Sequence, residues 1–590
     1  MCGIVGCFAF DAEAVDEQVV RAMLARVQRR GPDGQGIHRD RHCMLGHSRL
    51  AVIDLSPAGQ QPMSDASGRF HIVFNGTIYN HPELRRELLR RGYAFRSTSD
   101  TEVIVNGFAC WGESVVERLH GVFALAIWDS LEQRLFLARD RLGIKPLYYA
   151  RSVRAVYFAS SLQALLLAPG CDTSIDPLAL HHTLTLHGVV PAPATLLAGI
   201  RKCPPAHTLG ISGPGPITER RYWTLDARRP TMARSDAEWR EALREAVTAA
   251  VVRRVEVADV PVGLLLSGGL DSSLLLALMA EAGTGPINTF SIGFDDDARE
   301  RGDEFEYSDL MANRYATKHQ RIHIGNEEIL FHLPDAMGQM AEPMFGQDAI
   351  AFYLLARQVG QSMKVVQSGQ GADELFAGYA WYPRMLATPG SRLQRFASHY
   401  FDRDHDEYLQ AVGPDYRVDD VSSRLVAEQL ASEHAESFID AVLRFDLTAL
   451  VVDDPVRRVD NMSMAWGVEA RVPFLDHQLV ELAAQCPPEL KLLNQGKGIL
   501  KSIARGVVPD NIIDRPKGYF PVPALKYPQA AALELFSDVV TSRQCRERGI
   551  FSSSYIDQLL ANPTMHLTRL NINKLWQCTA LELWLQKNLS

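Results

Sequence analysis

The 590-residue chain lacks paired cysteines, long apolar segments and an excess of positive charge. Its nine cysteines include no C-x-x-C pair, which argues against a zinc site or a disulfide framework. Apolar runs such as Leu274–Ala280 are far shorter than the roughly 18 residues that a transmembrane helix needs. The net charge of −9 argues against binding to a phosphate backbone. We therefore expect neither nucleic acid nor a membrane as a partner.

The N-terminus also lacks the pattern of a secretory signal. No basic segment precedes an apolar stretch, and acidic residues follow Phe10 almost immediately. With 46% hydrophobic and 22% charged residues, the composition is that of an ordinary soluble protein. We expect a cytoplasmic protein with reduced thiols. At about 150 residues per domain, the length allows about two to four domains.

Two patterns of secondary structure divide the chain. Up to residue 205, short apolar runs separated by Gly and Pro predict a sheet-rich domain over 2–205. Residues 206–237 are rich in Gly and Pro and are interpreted as a linker. In 238–590, apolar strands alternate with helices and then give way to helices alone, which indicates a parallel α/β sheet with a helical C-terminal part.

Individual elements follow from the same patterns. The predicted strands are 44–53, 70–74, 122–128, 134–138, 156–159, 262–266, 287–294, 320–324 and 364–367. The predicted helices are 14–30, 81–91, 273–282, 306–319, 441–452, 478–485, 498–507 and 570–589.

Cys2 is the candidate nucleophile. Removal of the initiator Met1 would give a first residue that carries both a thiol and a free α-amine. Such an amine has a pKa of about 7.7–8.0 and can accept the thiol proton, directly or through one water. A cysteine at position 2 is usually an ordinary residue, so this interpretation depends on whether the chain also provides a pocket.

Three short segments provide candidates for that pocket. Arg49 would hold a substrate carboxylate, Asp100 an ammonium, and the Asn75 amide with the Gly76 N–H a tetrahedral oxyanion. These are the roles that a glutaminase needs. The alternatives are a surface ion pair at Arg49, a hairpin turn at Asn75-Gly76 and a helix cap at Asp100.

A glycine-rich loop in the second half follows a buried strand and precedes a helix. Its sequence, S-G-G-x-D-S at 267–272, allows close approach of the backbone to an anion, and its N–H groups point with the helix N-terminus at phosphate. No G-K-[ST] follows, so it is not a Walker A loop. A turn without function is the alternative.

Taken together, these motifs resemble the glutamine-hydrolysing asparagine synthetase family. The first half is similar to class II glutamine amidotransferase domains through M-C-G-I at 1–4, R-G-P-D at 30–33, H-x-R-L at 47–50, F-N-G-x-I-Y-N at 74–80 and S-D-T-E at 99–102. The second half is similar to the ATP pyrophosphatase domain of that family through 267–272, S-G-Q-G-A-D-E-L-F at 368–376, and the late segments 458–464 and 469–476.

The resemblance implies an α/β fold: an N-terminal-nucleophile (Ntn) hydrolase αββα sandwich followed by a PP-loop ATP pyrophosphatase domain. It implies that glutamine is hydrolysed at Cys2 and that ammonia passes internally to an acyl-adenylate, protected from water. Mg²⁺ would be held by Asp271 and Asp373, and Lys497 would neutralise charge on phosphate. Relatives also imply a homodimer. The implied ATP contacts are Leu266, Ser267, Gly268, Gly269, Asp271, Ser272, Ile292, Ser368 and Gly369.

Two positions depart from the family pattern. Thr77 stands where the family usually has Glu, so Asp100 would carry more of the ammonium recognition and glutamine would bind more weakly. Gln370 replaces the Glu that is thought to take a proton from attacking ammonia, and an amide cannot act as that base. We expect Asp348 or a neighbouring carboxylate to replace it.

The second departure leaves the acceptor open. The segments 368–374, 342–348 and 181–193 look most like the branch that amidates the dipeptide N-acetylglutaminylglutamine. That acceptor has no free α-ammonium, so its binding site needs fewer fixed charges. One alternative is ordinary asparagine synthesis from aspartate. Another is a non-catalytic paralogue that serves as a partner protein, and the intact Cys2 and Lys497 argue against it.

Overall fold

The computed structural model describes residues 2–11, 15–283, 285–516 and 522–589. The first half contains two six-stranded antiparallel sheets, with strand orders β10-β8-β9-β1-β3-β2 and β12-β11-β7-β6-β5-β4. The strands are β1 Gly3–Ala9, β2 Gly34–Arg39, β3 Cys43–Arg49, β4 Met63–Ser64, β5 Phe70–Ile78, β6 Gly121–Asp129, β7 Arg134–Arg139, β8 Tyr148–Arg151, β9 Ala155–Ala159, β10 Ile200–Lys202, β11 His207–Ile211 and β12 Thr218–Arg221.

Apolar residues that alternate along these strands bring the two sheets together. Ile4 and Leu45 of the first sheet share one buried core with Val73, Ala124 and other residues of the second. The outer faces are covered by helices, α1 on the first sheet and α3 on the second, which completes an αββα sandwich. The helices of this half are α1 Glu17–Arg26, α2 His81–Arg90, α3 Asp100–Trp111, α4 Val115–Arg118, α5 Leu162–Leu165 and α6 Pro177–Thr185.

The second half is built on a five-stranded parallel sheet in the order β15-β14-β13-β16-β17. Its strands are β13 Val262–Leu265, β14 Asn288–Phe294, β15 Lys318–Ile324, β16 Val365–Gln367 and β17 Glu469–Arg471. The carboxyl ends of parallel strands lie at one edge of the sheet, which gathers the loops after β13, β14 and β16 in one place.

Helices cover this sheet and form the C-terminal part. They are α7 Asp236–Glu256, α8 Leu270–Glu281, α9 Phe305–Arg314, α10 Asn326–Gln339, α11 Asp348–Val359, α12 Ala372–Phe376, α13 Trp381–Ala387, α14 Arg392–Tyr400, α15 His405–Ala411, α16 Val421–Leu430, α17 Phe438–Phe445, α18 Arg457–Met464, α19 His477–Ala484, α20 Pro488–Leu492, α21 Gly498–Ala504, α22 Asp510–Ile513, α23 Pro523–Lys526, α24 Ala530–Val540, α25 Arg543–Arg548, α26 Ser553–Ala561 and α27 Lys574–Asn588. In the described ranges, no helix is long and apolar enough to span a membrane.

The structure confirms the predicted fold class and corrects several element boundaries. The segment predicted as a linker contains β11 and β12, which pair at the edge of the second sheet, so the sheet extends beyond residue 205. The helix predicted over 306–319 ends at Arg314 because the chain enters β15 at Lys318. The helix predicted over 14–30 spans 17–26 and is followed by a 3₁₀ turn at 28–30, and position 14 lies outside the described residues.

Candidate active sites

Cys2 lies at the start of β1, inside the first domain and close to the second. Its backbone N–H donates to Asn75 Oδ1 at 3.0 Å, and its carbonyl accepts a hydrogen bond from Arg30 Nε at 3.2 Å. The side chain is buried, and its Sγ lies 4.0 Å from the Leu50 carbonyl oxygen. Burial raises the pKa of the Cys2 thiol above its ordinary value. The thiol therefore needs a base before it can attack a carbonyl.

Asn75 and Gly76 bring hydrogen-bond donors beside this thiol. Asn75 on β5 uses its Oδ1 to hold Cys2, while its buried Nδ2 has no acceptor within the part of the chain that the structure describes. A buried amide N–H without a partner is costly, and a ligand oxygen would satisfy it. At Gly76, a Cβ would lie 2.1 Å from the Val122 carbonyl oxygen, so only glycine fits against β6. The hairpin alternative is wrong, because both residues lie inside a strand.

Arg49 and Asp100 are both buried near the same site. Arg49 donates to two backbone carbonyl oxygens, that of Ser56 at 2.9 Å and that of Asp54. Both acceptors are neutral, so neither offsets the positive charge of the guanidinium. Asp100 is the first residue of α3, and Ser99 rather than Asp100 caps that helix. The Asp100 Oδ2 accepts a hydrogen bond from the Ile78 N–H at 3.0 Å. Burial is the main cause that raises the pKa of Asp100 to about 6.

Two acidic residues of the second domain also reach this site, and the sequence interpretation missed both. Asp460 on α18 pairs with Arg30 Nη2 at 2.9 Å and with Lys145 Nζ at 3.3 Å. Glu469 on β17 accepts a hydrogen bond from the Thr77 hydroxyl at 3.1 Å. Both lie in the late segments that matched the family pattern, which was the available signal. The arrangement makes the second domain part of the wall around Cys2.

The glycine-rich loop joins β13 to α8 at the carboxyl edge of the parallel sheet. Gly268 has a φ of +75°, and a Cβ there would lie 2.5 Å from the Ser308 backbone N, so glycine is required by both conformation and space. A cavity of about 140 Å³ opens beside the loop. Its lining includes most of the predicted ATP contacts, namely Leu266, Ser267, Asp271, Ser272, Ile292, Ser368 and Gly369. Gly268 and Gly269 lie in the loop but do not line this cavity.

Lys497 lies between the two predicted magnesium ligands. Its Nζ is 2.6 Å from Asp271 Oδ2 and 2.7 Å from Asp373 Oδ1. These carboxylates raise the pKa of the buried ammonium above that of an ordinary lysine. The two carboxylates point at the same place beside the glycine-rich loop. Carboxylate oxygens are hard donors, and such a pair suits Mg²⁺. The residues therefore fit the cation that the family implies.

A larger cavity of about 760 Å³ adjoins the first and shares Asp348, Gln370 and Asp373 with it. Arg458 on α18 contacts two carboxylates of this cavity, Asp348 at 3.0 Å and Asp454 at 2.8 Å. Burial raises the pKa of Asp348, while Arg458 opposes that rise. The two cavities meet at these three residues, so a ligand in the larger cavity would lie next to the cavity at the glycine-rich loop.

A distortion of one long helical segment shapes this cavity. Between α17 and α18 the chain forms two π-helical turns, 446–450 and 452–456. π-turns are frequent at functional sites because they redirect side chains without ending the helix. They place Asp446 and Asp454 in the lining of the cavity. Asp446 accepts a hydrogen bond from the Tyr382 hydroxyl at 2.5 Å, and burial raises its pKa to about 8.

Two family models match the chain over almost its whole length. Residues 242–586 match the model described as asparagine synthase, and residues 1–223 match a glutamine amidotransferase domain. The chain therefore belongs to the asparagine synthase family. It is an α/β glutamine-dependent amidotransferase of the asparagine synthetase type, with ATP as a substrate of the family.

Three relatives and one solved structure show what the chain is similar to. "Asparagine synthetase [glutamine-hydrolyzing] 3" of Bacillus subtilis is 33% identical, covering 88% of this chain and 87% of the relative. "Asparagine synthetase [glutamine-hydrolyzing] 1" of the same organism is 30% identical, covering 99% and 96%. "Amidase chyE" of Penicillium rubens is 28% identical, covering 93% of both chains. Among solved structures, glutamine phosphoribosylpyrophosphate amidotransferase of B. subtilis matches at 14% identity and a TM-score of 0.31, covering 55% of this chain and 91% of that one.

Proposed function

We propose that this enzyme hydrolyses glutamine at Cys2, activates a peptide-type carboxylate with ATP and converts it to a carboxamide, with release of AMP and pyrophosphate. N-acetylglutaminylglutamine or a similar acylated dipeptide is the preferred acceptor. The observation that carries the choice of acceptor is the cavity of about 760 Å³, which adjoins the smaller cavity at the glycine-rich loop. Cavities of about 300–1,000 Å³ hold ligands larger than a single amino acid.

The glutaminase half would use the residues around Cys2. After removal of Met1, the Cys2 α-amine takes the thiol proton, and the sulfur attacks the glutamine carboxamide carbon. The Asn75 Nδ2 and Gly76 N–H stabilise the oxyanion, and ammonia leaves with the transferred proton. Water then hydrolyses the thioester to glutamate. Arg49 and Asp100 hold the substrate carboxylate and ammonium.

The synthetase half would use the two joined cavities. The acceptor carboxylate attacks the α-phosphorus of ATP, and pyrophosphate leaves as the acyl-adenylate forms. Mg²⁺ held by Asp271 and Asp373 would neutralise the phosphate charge, and Lys497 supplies a fixed cation for the same purpose. Ammonia then attacks the acyl carbon, and AMP leaves.

We propose that Asp348 takes the proton from the attacking ammonia. It lines both cavities beside Gln370, the position where relatives carry the expected base. The change Asp348→Asn should lower amide formation from added ammonia by about 10²–10⁴-fold, the usual contribution of a general base. Glutamate release from glutamine serves as the control and should persist. Unchanged amide formation would show that another group accepts the proton.

A second candidate is the amidation of aspartate, and the names of the Bacillus subtilis relatives, which are asparagine synthetases, favour it. Pyrophosphate release with glutamine, ATP and Mg²⁺ would be measured with acylated dipeptides and with aspartate as acceptors. Higher kcat/KM for the dipeptides supports our proposal, and turnover of aspartate alone would refute it. Absence of turnover with every acceptor would favour a non-catalytic paralogue.

We also propose, on the family resemblance alone, that the enzyme is a cytoplasmic homodimer. Sedimentation of the purified protein and fractionation of the source cells would test these two points separately.

A further inference from the structure

Two histidines and an aspartate from three helices meet at one point away from Cys2 and the glycine-rich loop. His181 lies on α6, His405 is the first residue of α15, and Asp420 caps the N-terminus of α16. His181 Nε2 lies 3.1 Å from His405 Nδ1 and 3.8 Å from Asp420 Oδ1. One nitrogen of each histidine and one oxygen of Asp420 all lie within 4.8 Å of one another. These three atoms form a candidate donor set for a metal ion.

The separations of these atoms suit a divalent transition metal. Zn²⁺ binds imidazole nitrogen and carboxylate oxygen at about 2.0–2.2 Å, so the ligands of a tetrahedral ion lie about 3.3–3.5 Å apart. The observed 3.1 Å and 3.8 Å fall on either side of that range. His181 is fully buried, whereas His405 and Asp420 are half-buried and have room to adjust around an ion. Two imidazoles with one carboxylate favour Zn²⁺ over Mg²⁺, which prefers oxygen donors.

The buried hydroxyl of Ser422 holds the His181 ring in the orientation that ligation needs. Ser422 Oγ lies 2.8 Å from His181 Nδ1 and 2.9 Å from His182 Nδ1, so it can accept a hydrogen bond from one ring and donate one to the other. The Nδ1 of His181 is thereby occupied, and its Nε2 faces His405 and Asp420. A ligating histidine typically uses its second ring nitrogen in an outer hydrogen bond of this kind.

The charges near these three residues are compatible with a bound cation. Asp420 brings a carboxylate to within 3.8 Å of His181 Nε2. Arg424, one turn along α16, pairs with Asp419 at 3.6 Å, and both of those side chains are mostly exposed, so solvent and salt screen the guanidinium charge.

A second group of similar residues lacks this property. In the described part of the chain, His120, Asp476 and His477 also place three possible ligand atoms within 4.8 Å of one another. Arg254 Nη1, however, lies 3.0 Å from Asp476 Oδ2, and Arg253 Nη1 lies 3.3 Å from His120 Nε2. Two guanidinium groups already neutralise the carboxylate and repel a metal ion there. The group around His181 is therefore the better candidate.

We propose that His181, His405 and Asp420 bind Zn²⁺ or a similar divalent transition metal, with water in the remaining position. Helix α6 lies in the part of the chain that matches the amidotransferase model, whereas α15 and α16 lie in the part that matches the synthase model. The ion would therefore link the two halves of the chain. Binding at this site needs neither glutamine nor ATP.

The link would also support one wall of the cavity of about 760 Å³. His187, which lines that cavity, follows α6 closely and pairs with Asp402 at 2.9 Å. The Asp402 N–H donates to the Thr185 carbonyl oxygen at 2.9 Å. Both contacts join the end of α6 to the segment just before α15, so an ion that holds the two helices together would hold this corner in place. We expect bound Zn²⁺ to raise the Tm of the enzyme.

The test uses the full-length enzyme after treatment with a chelator, in buffer without glutamine, ATP or Mg²⁺. Titration calorimetry with Zn²⁺, and zinc content after gel filtration, should give one tightly bound ion per chain. His405→Gln removes one ligand, and Asp420→Asn removes the carboxylate while an asparagine can still cap α16. Each should weaken Zn²⁺ binding by about 100-fold or more, and Ser422→Ala by about 10–100-fold, since outer partners of a ligand contribute less than the ligand itself.

His323→Gln is the matched control, because His323 is an exposed histidine 3.6 Å from the carboxylate of Asp295. This variant should bind Zn²⁺ as the wild type does and show the same rise in Tm. The two ligand variants lie on different helices, and the Tm of each without Zn²⁺ reports whether it has folded. Absence of tight Zn²⁺ binding by the wild type would overturn the proposal and leave an ordinary N–H···N hydrogen bond between the two rings. Equal binding by wild type, His405→Gln and Asp420→Asn would overturn it as well, because the ion would then lie elsewhere.

Discussion

Asp446 gives the sharpest test of the electrostatics of the proposed acceptor cavity, the one of about 760 Å³. The residue is 4% exposed and lies in the first π-turn, and its carboxylate accepts a hydrogen bond from Tyr382. Burial is the main cause that raises its pKa to about 8, Glu374 raises it further, and the Tyr382 hydrogen bond opposes the rise. At neutral pH this aspartate is therefore mostly protonated in the folded enzyme. The perturbation is Asp446→Asn, which mimics the protonated form.

The sign and size of the effect follow from proton binding. The folded state keeps a proton that the unfolded state, with a pKa of about 3.9, releases above pH 4. The contribution of Asp446 to stability is therefore greatest below pH 4 and falls as pH rises towards 8. The slope is about 1.4 kcal/mol per pH unit, so the loss between pH 5 and pH 8 is about 3–4 kcal/mol. Above the folded pKa of about 8 the loss becomes constant.

Thermal unfolding of the wild type and Asp446→Asn would be compared at each pH from 5 to 9. The stability advantage of the variant should grow by several degrees of Tm up to pH 8 and then level off. Tyr382→Phe is the control, because loss of the hydroxyl raises the Asp446 pKa and moves the plateau to higher pH. A Tm difference that stays constant across this range would refute the assignment of a protonated Asp446. Above pH 8 the ionised group should also raise the KM of a carboxylate acceptor in the wild type only.

Three further predictions follow from the two sites. Cys2→Ala should abolish glutamine-dependent amide formation and preserve formation from added ammonia, measured as amide product; loss of both would contradict the separation of the sites. Lys497→Gln should lower pyrophosphate release by about 10²–10³-fold without loss of glutamate release, because it removes the cation between Asp271 and Asp373. For Asp100, whose pKa is about 6, kcat/KM for glutamine should fall by up to about tenfold per pH unit below pH 6, and Asp100→Asn should flatten this profile.

The sequence predicted those features that depend on local patterns. The apolar run before Ser267 and the glycines after it identify a strand, a turn and a helix, and the structure has β13, the loop and α8 there. Helix α3 was missed because residues such as Val103 and Ile104 are β-branched and the first nine positions are buried on every side, so no amphipathic period appears. The strands β11 and β12 were missed because Gly and Pro between them favoured a linker.

Long-range contacts could not be predicted in this way. Thr77 and Glu469 are 392 positions apart, and only the docking of two domains brings them together. The same holds for Arg30 and Asp460. The helical pattern over 441–452 did not indicate the π-turns either, although Pro455, which has no backbone N–H to donate, lies in the second of them. The motifs therefore identified the reactive and binding residues. Their long-range charged partners could be identified only from the structure.

Helix α18 explains how the two sites can depend on one another. Arg458 on this helix holds Asp348 and Asp454 in the acceptor cavity, and Asp460, two residues later, pairs with Arg30, whose Nε holds the Cys2 carbonyl. The three ion pairs among these contacts are mostly buried, so a change that breaks one of them leaves a desolvated charge and is costly. A shift of α18 caused by the acceptor would therefore act on Arg30 as well. Because the π-turns precede α18 directly, the proposed acceptor cavity and the Cys2 site are joined by one continuous helical segment.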